Sequence, residues 1–167
     1  MIPANRQRNY LQSGVYVAIF GVLAAVLLER LLTYAEAAEK AAMEVTVSRL
    51  SSALYAQLAF LALRGEYDAI EALPGQSPFV VTRATSSSYL GEFDGAPPGA
   101  EGGSWYFDRA RGELVYLPNL KRHFEAMGET ASVPALRFRV EVQKASKTAY
   151  TGVVLRPIGA VNWDPRP

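Results

Sequence analysis

The feature that most constrains this fold is a long uncharged run near the N-terminus, which leads without interruption into a helical segment. Residues 10–28 contain no charged side chain, and the sequence that follows has neither Pro nor Gly until Gly65. At about 1.5 Å per residue, a run of about 19 residues covers roughly 28 Å, close to the hydrocarbon thickness of a bilayer. We therefore predict a transmembrane helix at residues 10–30 that continues as an amphipathic helix over residues 31–64.

The charges that flank the run predict its orientation. Arg6 and Arg8 precede it, and no acidic residue does. Because positive residues mark the cytoplasmic side of a span, we expect residues 1–9 to form a cytoplasmic leader and the rest to lie across the membrane. Two alternatives stay open: a secretory signal cleaved near Ala35-Glu36-Ala37, which is similar to an Ala-x-Ala cleavage site, and the core helix of a soluble protein.

The second half of the predicted helix has one apolar face, which we expect to pack on a sheet. Its large apolar residues recur at spacings of three and four: Val47, Leu50, Leu54, Leu58 and Leu61. A more solvated section of the helix is expected where its charged residues lie: Glu36, Glu39, Lys40, Glu44 and Arg49. Glu36 and Lys40 are expected to form an i,i+4 ion pair.

Residues 65–103 are predicted to form a short helix and a long loop. The helix is expected at about residues 66–73, before Pro74 and Gly75, and a short strand at residues 78–82. Residues 82–103 are punctuated by Ser, Pro and Gly, which is typical of a connecting loop. This loop is either a solvated linker or a surface that contacts a partner.

Residues 104–160 are predicted to form an antiparallel sheet. Residues 104–108 and 113–117 flank a short Gly-containing loop, which indicates a hairpin. Residues 136–143 alternate strictly, with Leu136, Phe138, Val140 and Val142 on the inner face. A further strand is expected at residues 152–158, a helical turn or loop at residues 119–127, and an irregular tail at residues 161–167.

The sequence carries no recognisable motif for catalysis, cofactor binding or metal binding. His123 is the only histidine and lies in a charged segment, which favours an exposed or capping role. No glycine motif for nucleotides is present, and the spacing of Glu92, Asp94 and Glu101 fits no known calcium loop. A net charge of +1 does not indicate a nucleic-acid surface. We therefore expect a protein that is not an enzyme, uses no cofactor and binds no nucleic acid.

Small residues recur along the predicted span at spacings that allow close helix packing. Gly14 with Ala18, and Gly21 with Ala25, are the candidate pairs, and ordinary membrane-helix composition is the alternative explanation. Gln12 is either a further helix-packing residue or a polar residue at the membrane edge.

Two blocks of this sequence resemble type IV pilins and type II secretion pseudopilins. Residues 18–25, Ala-Ile-Phe-Gly-Val-Leu-Ala-Ala, are similar to the Ala-Ile-Ile-Gly-Ile-Leu-Ala-Ala core of the family, and Arg30 and residues 34–36 are similar to its Pro-Arg-Tyr-Leu-Asp-Tyr-Ala-Glu run. Residues 105–116 resemble the Trp-Tyr-Tyr-Asp hairpin of some minor pilin-like proteins. The resemblance implies an α+β fold in which a transmembrane helix continues into a long spine packed on a small antiparallel sheet.

The sequence departs from that family at the prepilin peptidase site. Alignment on Gly21 places Gln7 at the cleavage glycine and Gln12 at the conserved glutamate, and alignment on Gly14 places Ile19 there. Glu29 replaces the family's proline, so a straighter helix is expected. We expect the leader to be retained, as in the accessory pilin-like proteins of mannose-sensitive haemagglutinin pilus biogenesis, which this chain resembles.

The resemblance implies a minor or accessory component in assembly of a type IV pilus or a type II secretion-type filament. It places the chain in the bacterial inner membrane as a single-pass protein with a periplasmic C-terminal domain. The implied partners are pilins or pseudopilins and inner-membrane assembly proteins, with a second copy of the chain as a further candidate. Glu29, Arg30 and Tyr34 are candidate contact residues. Two alternatives are a bitopic assembly-platform subunit with a ferredoxin-like domain and a membrane-tethered binding or sensory domain.

Overall fold

A single helix of 60 residues organises the molecule. The computed structural model describes residues 4–127, 134–146 and 150–165, without the side chains of residues 4–12, 125–127 and 160–162. Helix α1 runs from Ala4 to Leu63 and is continuous across Glu29, where the resemblance places the family's proline. Gly65 adopts a φ of 71° after the helix, and the main-chain N–H of Glu66 donates to the carbonyl of Leu61 at 3.0 Å. This is a Schellman cap, which ends the helix where Gly65 predicted.

Three short helical segments connect α1 to the sheet. Helix α2 spans Tyr67–Glu71, a 3₁₀ turn spans Leu73–Gly75, and helix α3 spans Pro78–Thr82. The strand predicted at residues 78–82 is therefore wrong. Pro78 occupies the first helical turn, where its fixed φ suits a helix, and Arg83 ends the helix with a φ of 54°.

The main sheet has five strands and is mixed rather than antiparallel. The strands are Tyr89–Phe93 (β1), Ser104–Asp108 (β2), Glu113–Leu117 (β3), Leu136–Lys144 (β5) and Tyr150–Ile158 (β6). Their order in the sheet is β1-β2-β3-β5-β6, and β1 runs parallel to β2 while the other neighbours are antiparallel. The hairpin and the two later strands confirm the prediction. Strand β1 lies inside the predicted loop and was missed.

A second sheet of two strands is not hydrogen-bonded to the first. Strand β4, Phe124–Met127, pairs antiparallel with strand β7, Ala160–Trp163. The predictions of a helical turn or loop at residues 119–127 and of an irregular tail are therefore wrong in part; residues 166–167 lie outside the described residues. Neither strand has an alternating pattern of its own, and the pairing joins segments that are distant in sequence.

The core lies between α1 and the inner face of the main sheet. Leu50, Leu54 and Leu58 of α1 pack with Trp105 and Phe107 of β2 in one buried cluster. The predicted inner residues of β5 belong to the same cluster or pack against it. The outer face is covered as well, because Tyr106, Val115 and Leu117 pack with Phe93 and Ala100. Strands β2 and β3 are thus buried on both faces.

Candidate functional site

The N-terminal half of α1 is exposed and apolar over residues 13–28. It is long and apolar enough to cross a membrane, and the most apolar window is not buried against the rest of the protein. The alternative of a core helix in a soluble protein does not fit this exposure. Its large exposed residues include Val17, Ile19, Phe20, Val22 and Leu23.

The predicted helix-packing residues form one stripe, except for Gln12. At about 100° per residue, Gly14, Ala18, Gly21 and Ala25 fall on one side of α1. A Cβ atom at Gly14 or Gly21 would meet nothing within 4 Å, so this stripe is open to a neighbouring helix. Gln12 lies about half a turn away from Gly14 around the helix, and its side chain is outside the described part.

The predicted contact residues lie just beyond the apolar run. Glu29, Arg30 and Tyr34 are exposed, and none of them forms an ion pair with another described residue. Arg30 and Tyr34 are four residues apart and share a side of α1, while Glu29 lies on a different side. They remain available as contacts, but the structure does not join them into one site.

Glu36, one turn of the helix beyond Leu32, is buried in the structure with 0% of its surface exposed. The main-chain N–H of His123 donates to Oε1 at 3.1 Å, and the imidazole Nδ1 of His123 donates to Oε2 at 2.7 Å. The indole Nε1 of Trp163 donates to Oε1 at 3.0 Å. The predicted ion pair with Lys40 is wrong, because Lys40 lies 3.9 Å from Glu44 instead.

The pKa of Glu36 records the balance of these contacts. Burial raises it, whereas the hydrogen bonds from His123 and Trp163 lower it by more, so the pKa falls below its ordinary value of 4.5. Glu36 is therefore a buried carboxylate that stays ionised at neutral pH, because three donors replace the water it has lost.

Glu39, one turn further along α1, accepts hydrogen bonds from the segment that precedes His123. Its oxygens accept from the main-chain N–H groups of Asn119 at 2.6 Å and Leu120 at 3.0 Å. The phenol of Tyr116 donates to Glu39 at 2.8 Å, and burial together with this carboxylate raises the pKa of Tyr116. We call Glu36, Glu39, Tyr116, His123 and Trp163 the junction cluster, since they join α1 to both sheets.

The junction cluster tethers α1 to the segment around His123 and to Trp163. The predicted exposed or capping role of His123 is right in part, because its side chain is 40% exposed yet is held by a buried carboxylate. Among the described residues, no hydroxyl group hydrogen-bonds to His123, and no group of acidic or His side chains is arranged to hold a metal ion. The carboxylate of Glu36 fixes the orientation of the His123 imidazole.

A groove lies beside the junction cluster, between α1 and the C-terminal strands. It has a volume of about 540 Å³ and apolar walls formed by Met43, Val47, Leu136 and Pro157. Lys40 and Glu44 line the same groove, so its lining includes charges of both signs.

The sequence held a signal for the junction cluster. The spacing of three and four that identifies the core face continues backwards from Val47 through Met43 to Glu39 and Glu36. Two carboxylates on the core face of a helix require donors from the packed domain.

No protein-family model matches this chain, and no curated protein or solved structure is significantly similar to it.

Proposed function

We propose that this chain is a non-enzymatic, single-pass inner-membrane protein of pilin-like type that acts as a minor or accessory component in assembly of a type IV pilus or a type II secretion-type filament. One observation carries the proposal: the exposed apolar half of α1 continues without a break into the half that packs on the sheet. Because the span and the sheet domain share one continuous helix, the position of the span in the membrane determines the position of the sheet domain.

The proposed mechanism is lateral packing of helices in the membrane. Gly14, Ala18, Gly21 and Ala25 allow a neighbouring backbone to approach closely, which is how helices associate where lipid removes the hydrophobic driving force. The neighbours that this proposal expects are the membrane helices of pilins or pseudopilins. The sheet domain then occupies a fixed position outside the membrane, because the junction cluster ties it to α1.

The two alternative functions receive less support from the described residues. A ferredoxin-like domain repeats a strand–helix–strand unit, whereas here strands β2 to β7 follow one another without an intervening helix in the described part of the chain. A sensory domain that uses the predicted loop, residues 82–103, as a lid requires that loop to be free to move, but strand β1 occupies part of it. Gly95 donates to Asp108 at 3.3 Å, and Gly102 lies against Asn119, so this loop is packed.

Site-specific photocrosslinking in the membrane tests the proposed packing. A photoreactive amino acid at Ala18 is expected to crosslink to a pilin or pseudopilin, because Ala18 lies on the small-residue stripe. The same amino acid at Leu23 is the control, since Leu23 is also exposed and lies about 140° or more around the helix from every residue of the stripe. Crosslinks from both positions to assembly-platform subunits, or equal yields from both positions, would contradict the proposal.

The N-terminus of the native protein tests the accessory role separately. Intact mass and N-terminal sequencing of protein from native membranes are expected to show Met1 or the loss of Met1 alone. A mature N-terminus near residue 8 would instead indicate a processed filament subunit. Cleavage near Ala37 would indicate a secreted protein and would contradict the proposed membrane span.

A further inference from the structure

A short basic turn is held at the end of the sheet domain nearest the apolar run. Lys121 and Arg122 lie between two tethered positions, Leu120 and His123. The N–H of Leu120 donates to Glu39 at 3.0 Å, and the N–H of His123 donates to Glu36 at 3.1 Å. The turn is therefore fixed against α1 at both of its ends.

The position of these tethers on α1 gives the height of the turn above the membrane. Glu36 follows Leu28, the last residue of the uncharged run, by eight residues, and follows Leu32 by four. At about 1.5 Å per residue, these separations are about 12 Å and about 6 Å. The polar headgroup layer extends roughly 5–8 Å beyond the hydrocarbon on each side. Long cationic side chains at the level of Glu36 thus lie within reach of that layer.

The charges of the turn are available to a partner. The side chains of Lys121 and Arg122 are exposed, and neither forms an ion pair within the part of the chain that the structure describes. The two carboxylates that hold the ends of the turn already accept other hydrogen bonds. Glu36 accepts from His123 and Trp163, and Glu39 accepts from Tyr116 and two main-chain N–H groups.

We propose that Lys121 and Arg122 bind the phosphate groups of anionic phospholipids at the membrane surface. This inference rests on the membrane span of the proposed function. Exposed Lys and Arg next to a bilayer attract anionic lipid, and a guanidinium additionally forms paired hydrogen bonds with phosphate. With α1 as one attachment and the basic turn as another, the sheet domain is held in one orientation about the helix axis.

Competition between lipids for the full-length protein tests this assignment. The protein is purified in detergent micelles and supplied with equimolar phosphatidylglycerol and phosphatidylcholine, and bound lipids are counted by native mass spectrometry. We expect the wild type to retain phosphatidylglycerol preferentially. The double variant Lys121→Ser/Arg122→Ser is expected to lose about 25-fold of that preference, since each of the two cations contributes on the order of fivefold.

Two further variants make the result specific. Arg49→Ser/Arg83→Ser removes two exposed cations that lie far from the apolar run, and it should leave the preference unchanged. Lys121→Arg/Arg122→Lys keeps both charges and should keep most of the preference. An unchanged preference in the serine variant, or an equal loss in the distant variant, would overturn the inference. Replacing chloride by inorganic phosphate at constant ionic strength should not displace the lipid; displacement would indicate a site for free phosphate.

Failure of this inference can be told apart from failure of the proposed function. Reconstitution into phosphatidylcholine nanodiscs, which carry no net charge, measures insertion alone. A protein that does not enter these nanodiscs contradicts the membrane span and with it both proposals. A protein that enters them but shows no anionic preference contradicts only the basic turn.

Discussion

At the scale of single residues, the most consequential group is the buried carboxylate of Glu36. A buried charge costs several kcal/mol unless donors replace its water. Glu36 has three donors, two of them on His123. The sequence predicted a solvated glutamate here because charged residues usually mark the exposed side of a helix. Its position on the core face outweighed that tendency, since the packed segment supplied the donors.

We expect Glu36→Gln to destabilise the protein by about 1–3 kcal/mol, because an amide cannot accept charge-assisted hydrogen bonds from three donors. Thermal unfolding of the full-length protein in detergent, followed by near-UV circular dichroism, measures the effect. Glu44→Gln is the control, since Glu44 is largely exposed and its contact with Lys40 is long, at 3.9 Å. Equal effects of the two substitutions would contradict the structural role of Glu36.

The same carboxylate predicts how stability depends on pH. The pKa of Glu36 is lower in the folded protein than its ordinary value of 4.5, so the folded state binds fewer protons than the unfolded state in this range. Its contribution to stability is present above pH 4.5 and is lost as the pH falls through the folded-state pKa. Melting temperatures between pH 7 and pH 3 should fall less steeply in Glu36→Gln than in the wild type. A wild type as flat as the variant would contradict this assignment.

Gly102 is a second residue at which packing determines identity. A Cβ atom at this position would lie 2.5 Å from the Cα of Asn119, the residue whose N–H is tethered to Glu39. Gly102→Ala is therefore expected to cost about 1–3 kcal/mol, since backbone must move. Gly75→Ala is the matched control, because a Cβ there meets nothing within 4 Å and Gly75 has no positive φ. Equal melting temperatures for the two variants would show that residues 94–103 are not packed as described.

At the scale of elements, the sequence predicted the long and strongly patterned segments. The spine helix, the hairpin of β2 and β3, and strands β5 and β6 lie close to where periodicity and turn residues placed them. The missed elements are short: α3, β1, β4 and β7 each have four or five residues. Segments of this length are stabilised by distant partners, such as the pairing of Phe124 with Trp163 in the second sheet. Local pattern therefore carries little information about them.

The continuity of α1 is an element-scale prediction that can be measured directly. The chain contains no cysteine, so Ala24→Cys and Ala41→Cys place two spin labels at exposed positions on either side of residues 29–35. A continuous helix separates the two positions by about 25 Å along its axis. Pulsed electron paramagnetic resonance in nanodiscs should give one narrow distance distribution consistent with that rise. A broad or clearly shorter distribution would indicate a kink or break between the span and the spine.

At the scale of the whole molecule, the sequence predicted an α+β chain with a helical spine but not the mixed order of its sheet. Parallel pairing of β1 with β2 requires the chain to cross over between them, and residues 94–103 make that connection across the outer face. This connection covers Tyr106 and Val115, which are buried although they face away from the spine helix. The sequence predicted residues 82–103 as a loop, either a solvated linker or a partner-contacting surface, because their Ser, Pro and Gly residues carry no sign of the apolar face that they cover.

Membrane topology is the whole-molecule property on which both proposals depend. The proposed orientation places Ala110, at the exposed turn between β2 and β3, outside the cytoplasm, and the leader inside it. Because the chain has no native cysteine, Ala110→Cys and Asn5→Cys each carry a single thiol. A maleimide that cannot cross membranes should label Ala110→Cys in intact spheroplasts, and should label Asn5→Cys only after permeabilisation. Arg6 and Arg8 supply the physical reason, since basic residues beside a span resist translocation.

The reverse pattern would place the sheet domain in the cytoplasm, away from the filament partners proposed for it. Labelled Ala110→Cys protein recovered in the soluble periplasmic fraction without residue 5 would instead mean that the apolar helix is a cleaved signal, and the basic turn would then have no bilayer to bind.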